Sequence, residues 1–197
     1  MNFRRTIAAA AAAFAIAIAA SGSAWAEGTT IKGAKPVSPQ PAADKIAPGL
    51  AVIYYTNMFQ KLREIGKLGK GKPGKPIALL DHKTNDGDVL TADRPMGVGA
   101  KITGLIKFDA PGTYTLHVNA NDGVRVTIAG LEVHEDDGVH GDQMSDAIAF
   151  VVEQPGWYEL AVDYFQKKGT SALQLFWTPP GGQQAPVPAT QFAHLKG

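Results

Sequence analysis

Residues 101–130 read KITGLIKFDAPGTYTLHVNANDGVRVTIAG, and this stretch decides the fold class. Its apolar residues fall at every second position in three runs, 102–108, 114–120 and 124–128, with polar residues between most of them. Pro111-Gly112 and Asn121-Asp122-Gly123 separate the runs with residues that favour turns. A period of two indicates strands that bury one face, so the stretch predicts a β-meander.

The same pattern continues toward the C-terminus. Further apolar runs lie at 147–153, at 157–165 after Pro155-Gly156, and at 171–177 after a Lys-Lys-Gly loop. Short alternating strands at such spacing are typical of antiparallel sandwiches and barrels. We therefore expect an all-β fold, an antiparallel β-sandwich or barrel.

The first 26 residues have the layout of a cleavable signal peptide. Arg4 and Arg5 precede an apolar stretch of 14 residues, Ile7 to Ala20, and Ala24-Trp25-Ala26 fits a cleavage site. A spanning helix needs about 20 apolar residues, so an uncleaved anchor is the weaker interpretation. The sequence predicts export, to the periplasm or the extracellular space.

Composition sets limits on the function of the remaining chain. Without residues 1–26, which include two basic residues, 17 basic residues stand against 18 acidic ones. This balance gives no overall attraction to nucleic acid. The chain has no cysteine, which excludes disulfides, thiolate nucleophiles and cysteine-based zinc sites. Its length fits one folded domain, 49–197.

Two segments outside the alternating strands differ in composition. Residues 27–48 contain four prolines among Ala, Lys, Gly and Ser, and we expect them to form a disordered linker or tether. Residues 61–75 carry six basic residues against Glu64 alone, and five Gly or Pro residues interrupt them. This segment predicts a mobile basic loop. It is either simply solvated or in contact with an anionic surface.

The order of motifs after residue 104 resembles one family. The chain reads Gly104-Leu-Ile-Lys-Phe, Pro111-Gly-Thr-Tyr-Thr-Leu, Asn121-Asp-Gly-Val-Arg-Val, Gly156-Trp-Tyr-Glu-Leu and Ser171-Ala-Leu-Gln-Leu-Phe-Trp177. It is similar to the PA-14 domain, named for the anthrax protective antigen and also found in fungal adhesins. The resemblance covers roughly residues 49–190. It implies a β-sandwich or barrel, with carbohydrate binding in many members and protein contacts in others.

The resemblance also implies a site. In lectin-like members, two consecutive acidic residues joined by a cis peptide bind a calcium ion that holds sugar hydroxyls. Asn121 and Asp122 stand at the matching positions, so calcium is the cofactor that the resemblance implies. Asn121 keeps an oxygen ligand but lacks the negative charge, and Lys167 and Lys168 in the facing loop repel a cation. We expect calcium binding to be weakened.

The remaining candidates are loop residues near this turn. We expect ligand contacts from Asn121, Asp122, Asp136, Asp137 and Lys168, in a site formed with the loops 135–142 and 166–169. The ordinary alternative for Asn121-Asp122-Gly123 is a turn without a ligand. Asp136 and Asp137 are a poor acid pair for glycoside hydrolysis, because neighbours along a strand point apart.

No pattern of catalytic residues emerges from the sequence. The serines lie in no nucleophile elbow, and no glycine-rich phosphate loop opens a helix. We therefore expect a non-catalytic binding module that recognises a carbohydrate or cell-envelope polymer. The alternative is a structural or protein-interaction subunit of an envelope assembly, for which the Pro-rich segment and the basic segment would be the contacts.

Overall fold

A computed structural model describes residues 28–196, and the predicted signal peptide lies outside them. The strands are β1 (Thr30–Ile31), β2 (Ile46–Pro48), β3 (Ala51–Thr56), β4 (Lys72–Pro73), β5 (Asp81–Thr84), β6 (Val98–Phe108), β7 (Gly112–Asn121), β8 (Val124–Ile128), β9 (Leu131–Asp136), β10 (Gln143–Met144), β11 (Ile148–Val152), β12 (Gly156–Gln166), β13 (Ser171–Thr178), β14 (Ala185–Pro186) and β15 (Phe192–Leu195). Within this described range, three short 3-10 helices cover Ala43–Lys45, Leu62–Lys67 and Ala189–Gln191. None of the helices within 28–196 is long and apolar enough to cross a membrane.

The strands of the described residues form two sheets. The first has the order β1-β11-β7-β13-β14, with β10 also paired to β7 and β5 to β13. The second has the order β2-β15-β6-β12-β8-β9, with β3 on β6 and β4 on β3. The pairing of β1 with β11 is parallel, and the other pairs of named strands are antiparallel. The predicted fold class, an all-β antiparallel sandwich, is confirmed.

The core between the sheets consists of the apolar residues at alternate strand positions. Phe108 lies at its centre, with ring centroids 4.8 Å from Tyr114 and 5.3 Å from both Phe150 and Tyr158. These four rings are almost completely buried. Edge-to-face contacts such as Phe108–Tyr158 add a geometric preference to the hydrophobic gain. The alternation in 101–130 therefore predicted the core face of the strands.

The Pro-rich segment differs from the free tether that the sequence predicted. Its described part, 28–48, lies along the sandwich, where Thr30–Ile31 pairs with β11 and Ile46–Pro48 with β15. Gln40 holds the middle of the segment: its Oε1 accepts the Trp157 N–H at 2.7 Å, and its Nε2 donates to the Trp157 carbonyl at 3.1 Å. A chain rich in proline cannot form a continuous ladder, but isolated backbone pairs and one side-chain amide are enough to dock it.

The basic segment is also more ordered than the predicted mobile loop. Leu62 and Ile65, in the 3-10 helix Leu62–Lys67, are buried against Phe165 on the outer face of the second sheet. Lys72–Pro73 pairs with β3 as strand β4. The spacing of Phe59, Leu62 and Ile65 in the sequence fits one face of a short helix, whereas the density of lysine and glycine around them favoured a mobile loop. Apolar burial by Leu62 and Ile65 explains why the segment is attached.

Gly104 gives a test of the packing between β6 and β15. A Cβ at this position would lie 2.4 Å from the Ala193 carbonyl oxygen and 2.7 Å from Leu50 Cδ2. We expect Gly104→Ala to lower the free energy of unfolding by about 1–3 kcal/mol in urea denaturation, because the backbone must shift to make room. Gly141→Ala is the matched control, since a Cβ there meets nothing within 4 Å. Equal stability of the two variants would contradict this packing.

Candidate functional site

The turn between β7 and β8 carries the pair that the resemblance singled out. The peptide bond between Asn121 and Asp122 is cis, as the resemblance implies. Both residues are only 3% exposed, so the turn is part of the protein interior. The next residue is Gly123, where a Cβ would lie 2.4 Å from the Phe165 ring, so the site has no room for a larger residue. The turn is thus packed tightly against the end of β12.

The Asp122 carboxylate joins two loops to this turn. Its Oδ1 accepts the backbone N–H of His140 at 3.1 Å, and its Oδ2 accepts the backbone N–H of Lys167 at 2.7 Å. Burial raises the pKa of Asp122, and these two hydrogen bonds act in the opposite direction. The Asp122 backbone N–H also donates to the Phe165 carbonyl. One side chain therefore fixes the relative positions of the turn and both loops.

Asn121 forms the other half of the network. Its Nδ2 donates to Asp142 Oδ1 at 3.0 Å and to Thr170 Oγ1 at 2.7 Å. On its far side, the Asp142 carboxylate is 2.8 Å from the Lys83 ammonium. Lys83 and then Asn121 lower the pKa of Asp142. Lys83 and Asp142 are more exposed than the Asn121-Asp122 pair, so they present the charge of this network to solvent.

These residues form one site, which we call the loop-end site. It consists of Asn121, Asp122, His140, Asp142, Thr170 and Lys83. The sequence predicted the first two residues and the loops that carry His140 and Asp142. Lys83 was missed, because it lies on β5 and reaches Asp142 only through the pairing of β5 with β13. No short-range pattern could have indicated that contact.

The other predicted ligand residues lie around this site. Asp136 Oδ2 is 3.3 Å from Nε2 of His140, the residue whose backbone N–H donates to Asp122. Asp137 faces the basic segment, where its Oδ1 accepts the Leu62 N–H at 2.6 Å and its carbonyl accepts Lys61 Nζ. Lys168 is exposed in the loop after β12. The structure therefore groups all five predicted residues near one end of the sandwich, but gives Asp137 a structural contact.

The contacts of the Asn121-Asp122 pair do not fit a resident calcium ion. Both Asp122 oxygens already accept backbone N–H groups, and Asn121 must direct its NH₂ group at Asp142, since a carboxylate only accepts. The Lys83 ammonium already pairs with Asp142, the carboxylate that Asn121 contacts. Within residues 28–196, no group of three or more His, Asp or Glu side chains is placed to hold a metal. Calcium prefers several free, hard oxygen ligands.

A calcium titration checks this disagreement with the family pattern. A ligand that binds only the native state stabilises it by mass action and so raises the melting temperature. At a concentration a hundred times its Kd, the gain in the free energy of unfolding is about 2.7 kcal/mol. We expect the melting temperature to be the same in excess calcium and in EDTA. A rise of several degrees with calcium would contradict the assignment. Magnesium serves as the control for general ionic effects.

The Asp142 carboxylate gives the second check, because its pKa lies below the ordinary value of 3.8. A carboxyl with a lowered native pKa stabilises the fold above pH 3.8, and this contribution is lost as pH falls through the native pKa. We expect Asp142→Asn to be less stable than the wild type at neutral pH, with a difference that shrinks below pH 3.8. Urea denaturation across pH measures it, with Asp146→Asn as the exposed control. A difference independent of pH would contradict the Lys83–Asp142 pair.

Several solved structures of other proteins share this fold. An anti-sigma factor domain-containing protein superposes with a TM-score of 0.63 at 18% identity, over 77% of this chain and 50% of that one. This chain thus spans about half the length of that neighbour. A PA14 sugar-binding domain from an RTX adhesin has a TM-score of 0.59 at 20% identity, over 75% and 99% of the two chains. Likenesses at such identities show the fold.

A third neighbour is the A domain of epithelial adhesin 9 from Candida glabrata, solved in complex with Galβ1-4GlcNAc. It has a TM-score of 0.60 at 11% identity, over 80% of this chain and 94% of that one. No curated protein matches the chain. The family model of the PA14 domain matches residues 47–191, which is most of the sequence and includes the loop-end site. The chain belongs to the PA14 domain family.

Proposed function

We propose that this protein is an exported, non-catalytic module that binds a carbohydrate or cell-envelope polymer through the loop-end site. Family membership supports the binding role, since one structural neighbour is a sugar-binding domain and another was solved with a galactose-containing disaccharide. Export rests on the signal-peptide pattern of residues 1–26.

One observation carries the proposal: the continuous chain of contacts from Lys83 through Asp142 to the buried Asn121. A sugar hydroxyl both donates and accepts, and here a carboxylate acceptor and an ammonium donor lie side by side at the surface. Asn121 holds Asp142 from the inside, so the carboxylate is oriented before a ligand arrives. Such preorganisation lowers the entropic cost of binding. Asp136 and Lys168 stand nearby as additional polar contacts.

The same contacts argue for binding rather than hydrolysis. Glycoside hydrolysis needs a protonated acid and a free carboxylate on opposite sides of the scissile bond. Asp122 uses both of its oxygens to hold backbone N–H groups, and Asp142 is ion-paired with Lys83. These two carboxylates therefore serve the architecture and the recognition surface.

The test is binding to a glycan array, first with the wild type and then with two matched variants. Asp142→Ala removes the recognition carboxylate, and Asp146→Ala removes an exposed carboxylate four residues later. We expect Asp142→Ala to weaken binding about tenfold or more, because it leaves Lys83 and Asn121 without their shared partner. Asp146→Ala should bind as the wild type does. Binding in EDTA should equal binding in calcium.

The alternative predicted from the sequence, a protein-interaction subunit, gives different results in the same experiments. It predicts silence on every glycan and a stoichiometric protein partner in crosslinked envelope extract. It also predicts that partner binding depends on Lys67 and Lys70 of the basic segment rather than on Asp142. Absence of glycan binding by the wild type would reject the proposal of carbohydrate binding through the loop-end site.

A further inference from the structure

A second concave site lies beside β3, apart from the loop-end site. It is a cavity of about 350 Å³, and its lining includes Tyr54 from β3, Lys72 and Lys75 from the basic segment, and Thr91 and Arg94 from the loop before β6. We call it the basic cavity. The sequence directed attention to the lysines of this segment but not to Thr91 or Arg94, which complete the wall.

The walls of the basic cavity are held together by specific contacts. The Tyr54 hydroxyl is 2.8 Å from Thr91 Oγ1 and accepts the Thr91 N–H at 3.0 Å, while Thr91 Oγ1 donates to the Lys75 carbonyl at 2.8 Å. Gly74 lies flat on the Tyr54 ring, where a Cβ would approach Cε2 to 2.4 Å. Lys72 and Lys75 therefore extend from backbone that is fixed on both sides of Gly74.

The basic cavity carries net positive charge that is not paired with carboxylates of the described residues. Lys72, Lys75 and Arg94 face a single acidic lining residue, Asp93. Within residues 28–196, none of the three cations lies within 4.0 Å of a carboxylate oxygen. Arg94 is oriented by two hydrogen bonds, from Nε to the Met96 carbonyl and from Nη1 to Thr56 Oγ1. A cleft lined by one sign of charge concentrates the opposite charge.

We propose that the basic cavity binds a carboxylate-bearing sugar unit of an acidic polysaccharide. A guanidinium and two ammonium groups recognise a carboxylate, and hydroxyl-rich walls suit the rest of a sugar. The volume lies at the small end of ligand pockets, so it holds a single ring with its substituent rather than a length of polymer. The choice of a sugar rests on the proposed function, whereas the choice of an anion rests on the cavity alone. A flat bilayer surface would not enter such a concavity.

The experiment compares two double variants that remove the same charge from the same segment. Lys72→Gln/Lys75→Gln alters the basic cavity, and Lys67→Gln/Lys70→Gln alters exposed lysines outside its lining. The probes are oligogalacturonate, neutral dextran of similar length, polyphosphate, and vesicles of phosphatidylglycerol, each measured by calorimetry or sedimentation at two salt concentrations. Asp142→Ala is measured in parallel on the same probes.

We expect oligogalacturonate to bind the wild type, and the cavity variant to lose about five- to tenfold in affinity, as two exposed charge contacts allow. The affinity of the control variant for oligogalacturonate should stay within about twofold of the wild-type affinity. Binding should weaken as salt rises, because exposed charges are screened. Asp142→Ala should keep its affinity for oligogalacturonate, even if its affinity for a neutral glycan falls. Failure of the loop-end site and failure of the basic cavity therefore give different results.

Three results would overturn the assignment. Equal losses in both double variants would show that the segment acts only through its overall charge. No loss in either would show that the basic cavity does not bind the acidic polymer. Polyphosphate or vesicles that bind as tightly as oligogalacturonate, with the same dependence on Lys72 and Lys75, would show that the cavity takes any anion rather than an acidic sugar.

Arg94→Lys keeps the charge but loses the two orienting hydrogen bonds, and we expect its affinity for oligogalacturonate to lie between those of the wild type and the cavity variant.

Discussion

The buried Asp122 carboxylate is the constraint on which the functional end of this molecule depends. Removing a carboxylate from water is costly, and the cost is offset here by two backbone N–H groups that would otherwise lack partners. Those donors belong to His140 and Lys167, so the hydrogen bonds also set the positions of two loops. If Asp122 were replaced by an apolar residue, both N–H groups would lose their acceptor together, and each loop would lose this link to the turn.

The same constraint explains why this chain departs from the calcium pattern of lectin-like relatives. An oxygen that accepts a backbone N–H is a poorer ligand for a cation, and Asn121 offers its NH₂ group where the pattern has a second carboxylate. The negative charge is provided instead by Asp142, and the positive charge by Lys83, 2.8 Å away. The buried Asn121-Asp122 pair holds the loops, and the charged groups at the surface are instead Lys83 on β5 and Asp142 in the loop before β10.

Local patterns predicted the fold and one part of the site. The alternation over 101–130 indicated the strands and their buried faces, because successive side chains of a strand point to opposite faces of the sheet. The turn at Asn121-Asp122 and its facing loops followed from the family resemblance. Lys83 and Arg94 could not be predicted, since their contacts depend on which strands pair and how loops return. Gln40 shows the same limit: one side-chain amide docks a segment whose composition indicates a tether.

The near-neutral composition of the chain also conceals how its charge is used. The acids around the loop-end site are occupied within the fold: Asp122 by backbone N–H groups, Asp137 by the Leu62 N–H, and Asp142 by Asn121 and Lys83. Charges that are already paired contribute little to the attraction of a distant ligand. None of the three cations of the basic cavity pairs with a carboxylate within the described residues. The basic cavity therefore offers net positive charge to a ligand, although the basic and acidic residues of the sequence balance almost to zero.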